Sequence, residues 1–123
     1  MDESLERIVR AERRRNAEAE ARIARRLAEA RREAARIAAA MADTDPRVRR
    51  VVLFGSVASG EVRTETFDVD LAVEGGDILS LVQIAEQSDF PVDVVDLSTV
   101  SPRFRTVVEK RGTVIYERQT ADA

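Results

Sequence analysis

The 123-residue chain has no cysteine and no histidine, and only five glycines, three prolines, four phenylalanines and one tyrosine. Each absence removes a class of chemistry. Without cysteine there are no disulfides, thiolate metal sites or thiol nucleophiles, and a reducing, cytoplasmic setting is expected. Without histidine the usual general base and the usual zinc ligand are missing, which leaves carboxylates working with hard, oxygen-seeking ions such as Mg²⁺. No apolar run approaches the roughly 20 residues needed to cross a bilayer, and the opening MDESLERIVR is too charged for a secretory segment. A soluble chain without membrane contact is expected, of a length that supports one modest core.

Charge is plentiful but unevenly spread. Residues 1–42 hold 11 Arg against 8 Asp and Glu, net +3, which leaves 9 Lys and Arg against 15 acids, net −6, in residues 43–123. An acidic segment that handles phosphates needs cations to offset the repulsion. From about Glu3 to Met41 the sequence is dominated by Ala, Arg, Glu and Leu, with no Gly or Pro, which predicts one long helix. Ile23, Leu27, Ala30, Ala34, Ile37 and Met41 form an apolar stripe along one face, expected to pack on the rest of the chain or on a partner helix. At about 58 Å such a helix outreaches an 80-residue unit about 30 Å across, so its N-terminal half must overhang, bend or meet another chain. Its arginines alternate with acids, so a solvated face is favoured over nucleic-acid binding.

Asp43-Thr44-Asp45-Pro46 ends the helix and sets a boundary between residues 1–42 and 43–123. The stretch that follows, Val51 to Glu74, carries the chemistry. Gly55 directly follows the apolar run Val51-Val52-Leu53-Phe54, so the chain can turn without a Cβ clash and bring backbone N–H groups to an anion. Ser56 adds a hydroxyl. Asp68 and Asp70 are two apart in a strand-forming run and share one face, roughly 7 Å apart along the backbone. That spacing suits carboxylates converging on one or two divalent ions. A Gly-Ser pair by itself more often only ends a strand, and two acids by themselves can be a solvated strand face. A third carboxylate on a neighbouring strand favours a bound cation, because three like charges on one sheet face repel.

Strands are expected over 48–54, 68–74, 92–97 and 113–116, with a short helical turn after Ser56. One helix follows Asp77 as its cap, and another runs from Pro102, capped by Ser101, to Gly112. The order predicts an α+β fold: a small mixed sheet with helices packed on one face, preceded by the long helix.

GSVASG, DVDLAV, VDVVDL and a helix ending in RGTVIYE, in that order, together resemble the minimal nucleotidyltransferase domains of the polymerase-β-like superfamily, and among them the antitoxins paired with HEPN toxins. The resemblance covers about residues 48–117 and leaves out the long helix. It implies the nucleotidyltransferase fold, with Gly55 and Ser56 holding the triphosphate of ATP while Asp68, Asp70 and Asp93 bind Mg²⁺, two ions being expected, and serve catalysis. Asp96, three residues beyond Asp93, must face the other side of its strand. Parity alone does not choose between them; the place of Asp93 in VDVV matches the family strand. The implied reaction moves AMP from ATP to a hydroxyl, a tyrosine of a cognate HEPN toxin, with Asp93 helping to take the proton. The alternative is a catalytically weak antitoxin that neutralises its partner by binding, and self-association through the long helix is also expected. The chain departs from the family pattern in three places: eleven residues separate Ser56 from Asp68 where ten are usual, Phe67 stands where serine is common, and Val57 where arginine is frequent.

Overall fold

The structure, a computed structural model, describes residues 2–119. Helix α1 (Glu3–Thr44) opens with the Asp2 carboxylate accepting from the Ser4 N–H. Strand β1 (Arg50–Phe54), the short α2 (Gly55–Ser59), β2 (Val69–Glu74), α3 (Ile78–Glu86), β3 (Val92–Asp96), α4 (Pro102–Arg111) and β4 (Thr113–Glu117) follow. The strands form one sheet in the order β3-β2-β1-β4. It is mixed: β1 is antiparallel to β2 and β4, whereas β2 and β3 run parallel across the α3 connection.

Alternation along the strands divides the core. Val51 and Leu53 of β1, with Val69, Leu71 and Val73 of β2, pack beneath Ala30, Ala34, Ile37, Ala38 and Met41 of α1 and Leu81 and Ala85 of α3. This is the expected helical layer, and the apolar stripe of α1 supplies its centre. Val52 and Ala72 face the other way and meet Leu97 and Val108, so α4 covers part of the opposite face. A ring of charges anchors α4 there. Arg50 bonds Glu74 and Glu109 at 3.0 and 2.8 Å, and Arg105 bonds the same two acids at 3.2 Å each.

At 42 residues, α1 is about 63 Å long. Its first half stands clear of the sheet, leaving Leu5 and Ile8 exposed at 50% and 62%. The helix runs past Met41 because Ala42 is buried and the Asp45 N–H reaches back to the Met41 carbonyl at 2.9 Å. Asp45 then does more than turn the chain. It is buried, accepts from the backbone and guanidinium of Arg47, and accepts from the Asp77 N–H at 2.8 Å. These bonds hold its carboxyl far below the usual range, the Arg47 guanidinium first among them. Asp77 precedes α3 as expected, but its carboxylate takes the Ser80 hydroxyl and not a backbone N–H.

Candidate active site

The site grows out of the end of β1. Phe54, the last residue of that strand, is extended, and Gly55 turns at φ +74° to start α2. A left-handed φ costs a residue with a Cβ about 1–2 kcal/mol. A Cβ at Gly55 would also overlap the Asp70 carboxylate oxygen Oδ2. Glycine therefore lets the turn lie directly on Asp70. The first N–H groups of α2 have no acceptor within the helix, and Ser56 brings its hydroxyl to the same corner.

Register brings the acids to this corner. Phe54 pairs with Asp70 across β1 and β2, and Asp70 pairs with Asp93 across β2 and β3. The three form one row on neighbouring strands, spaced about 4.8 Å apart. Asp68 lies two residues before Asp70 and just outside β2, which begins at Val69 and not at Asp68. Phe67 and Val69 turn into the core, which leaves Asp68 and Asp70 on the opposite side. Phe67 itself packs 6.4 Å from the Phe90 ring, so the bulky residue anchors the loop from beneath. Asp96 points elsewhere and caps a turn, accepting from the N–H and hydroxyl of Ser98.

Electrostatically the three acids act on one another. The Asp70 carboxyl is raised above its ordinary value by burial first, then by the charges of Asp93 and Asp68. Among the described residues none of the three has an Arg or Lys partner. Their chemistry, carboxylates without nitrogen or sulfur ligands, fits a hard divalent cation. The fit is one of charge and ligand type: among the described residues no three acids stand in a geometry that already holds an ion.

Beside the acids opens a cavity of about 760 Å³, lined by Phe54, Gly55, Ser56, Ser59, Glu61, Val107, Val108 and Arg111. The volume is in the range of small-molecule sites, about 300–1,000 Å³. Gly55 joins the two, lining the cavity while its α carbon abuts Asp70. From below, Arg31 of α1 donates to the carbonyls of Val57 and Ala58 at 3.0 and 3.3 Å, tying the end of α2 to the long helix. The sequence reading missed Arg31 and Arg111. The signal for Arg31 is a charge set in the register of the apolar stripe, four residues after Leu27. Arg111 reads only as a basic residue in the last turn of a helix.

Residues 37–121 match the family model described as polymerase beta, nucleotidyltransferase. Among solved structures, the chain is similar to a toxin–antitoxin crystallised with AMP-PNP, at 27% identity over 69% of this chain and 74% of that one, with a TM-score of 0.57. It is also similar to a mutant of the MntA–HpeT toxin–antitoxin, at 27% identity over 64% and 68% of the two chains, with a TM-score of 0.52. A Sulfolobus solfataricus protein assigned as a nucleotidyltransferase shares the fold at 17% identity over 79% and 88%, with a TM-score of 0.55. No curated protein sequence matches the chain. Strand, Gly-Ser turn and paired acids thus lie within a stretch that the family model spans, and the chain belongs to the polymerase-beta nucleotidyltransferase family.

Proposed function

We propose that this chain is a Mg²⁺-dependent adenylyltransferase that moves AMP from ATP to a tyrosine hydroxyl of a cognate HEPN-type toxin, and so serves as its cytoplasmic antitoxin. The observation that carries the reading is the Gly55 turn seated on Asp70, with Asp93 in register beside it. Likeness to a toxin–antitoxin crystallised with AMP-PNP supports the choice of nucleotide and partner.

In this reading the N–H groups and hydroxyl of the Gly55-Ser56 turn hold the phosphates of ATP. Asp68, Asp70 and Asp93 hold Mg²⁺, two ions in the full site, which when bound offset the phosphate charge and polarise the α-phosphate. The acceptor oxygen forms a bond to the α-phosphorus, the bond from that phosphorus to the bridging oxygen breaks, and pyrophosphate leaves. Asp93, exposed and without a cationic partner among the described residues, takes the acceptor's proton. Residues 43–123 make the transferase unit, with the second half of α1 packed into its core, and the overhanging half of the helix in residues 1–42, with Leu5 and Ile8 exposed, makes the contact with the toxin or a second copy.

One observation favours a second reading, neutralisation by docking alone: among the described residues no three acids stand in a geometry that already holds an ion. Intact-mass spectrometry of the neighbouring gene's product, after incubation with this protein, ATP and Mg²⁺, separates the two. Mass steps of one AMP that vanish with Asp70→Asn support transfer. A tight complex of unchanged mass supports docking.

A further inference from the structure

Neither Gly55 nor Ser56 brings positive charge to a strongly anionic triphosphate. Position 57, next in the chain, is a valine fully buried in the core. Arg63 is exposed on the loop and does not line the cavity. Arg31 reaches α2, but its guanidinium is engaged by the Val57 and Ala58 carbonyls. The cation in the cavity lining is Arg111, at the end of α4, facing the same space as Gly55 and Ser56. Among the described residues it makes no ion pair, whereas Arg50 and Arg105 are held by Glu74 and Glu109. A basic residue in the last turn ordinarily complements the helix dipole. Here α4 ends in both Lys110 and Arg111, and of the two Arg111 lines the cavity.

We propose that Arg111 is the phosphate-binding cation of this site and makes it select nucleoside triphosphates over monophosphates and nucleosides. A guanidinium suits the task, since its planar fork can donate two parallel hydrogen bonds to phosphate oxygens. Glu61 is the carboxylate of the lining, so removing Arg111 leaves a cavity whose only formal charge is negative. The inference rests on the nucleotidyl-transfer reading above and adds to it the residue that reads the phosphates.

Isothermal titration of the full chain with AMP-PNP, AMP and adenosine, in Mg²⁺, tests it. Arg111→Ala weakens AMP-PNP by about tenfold or more, the size of a lost charge-assisted hydrogen bond, and changes adenosine by less than about twofold. Arg111→Lys recovers part of the loss, and Arg63→Ala leaves all three affinities alone. Should Arg111→Ala not fold, Arg111→Lys is read in its place, and a selective fall for AMP-PNP supports the role. Wild-type affinity for AMP-PNP in the Arg111 variants, or a loss shared equally by adenosine, overturns it while leaving nucleotidyl transfer standing. A wild-type chain that binds none of the three ligands overturns both.

Discussion

Replacing Gly55 by alanine tests how the Gly55 turn and the acids are fitted together. Two costs are expected. The left-handed φ of +74° adds about 1–2 kcal/mol once a Cβ is present, and the overlap of that Cβ with Asp70 adds about 1–3 kcal/mol as neighbouring atoms shift. The sum, about 2–5 kcal/mol, lowers Tm by about 8–20 °C at about 4 °C per kcal/mol. Gly60 is the control. Its φ is +83°, but a Cβ there would meet only an Arg31 guanidinium nitrogen, at 3.4 Å. Gly60→Ala should therefore cost the dihedral term alone, about 1–2 kcal/mol. Thermal unfolding of a double-mutant cycle isolates the overlap: in an Asp70→Ala background the nearest clashing oxygen is gone, and Gly55→Ala should cost no more than Gly60→Ala. Equal costs for the two glycines, together with no change in the Asp70→Ala background, would refute the fit between turn and carboxylate.

Asp70→Asn should raise Tm of the metal-free protein at neutral pH. Its folded pKa is raised by burial and by Asp93 and Asp68, so the folded state holds the proton more tightly than the unfolded one, and stability falls as pH rises through the carboxylate range. The advantage of the asparagine variant should shrink below that range. A Tm difference independent of pH speaks against the electrostatic account. Mg²⁺ should stabilise the wild type by about 1.4 kcal/mol at ten times its dissociation constant and the asparagine variant less, and equal gains would deny the acids a role in metal binding. Ile37→Ala, at a site with 0% exposure, should cost about 2–5 kcal/mol by urea unfolding. A cost under about 1 kcal/mol would mean that the second half of α1 is not part of the core.

Much of the fold was legible because local signals agreed with the tertiary outcome. The Ala-Glu-Arg helix, the apolar run into Gly55, and Ser101-Pro102 before α4 each carry their own cause. Boundaries slipped where a long-range partner took over. Val48 is buried like a strand residue, yet its N–H bonds the Asp45 carbonyl in the turn, so β1 begins at Arg50. Asp68 stays outside β2 because the first ladder contact, from the Val69 N–H, goes to the Pro91 carbonyl. Strand parity left Asp93 and Asp96 as alternatives because the phase of β3 depends on its register with β2, which no local pattern encodes. That register sets Asp93 opposite Asp70. Arg31 and Arg111 went unread for the same reason, since the partners that give them meaning are 26 residues away for one and across a cavity for the other.

The most direct measurement of the central claim is a single-turnover reaction of this protein with ATP, Mg²⁺ and its candidate toxin partner, following pyrophosphate released and AMP attached to the partner together. Nucleotidyl transfer at the Asp70 corner predicts that the two appear in equal amounts, on a tyrosine, and that both disappear with Asp70→Asn while the complex still forms. Neutralisation of the toxin with neither product, or equal yields from the wild type and Asp70→Asn, would contradict it.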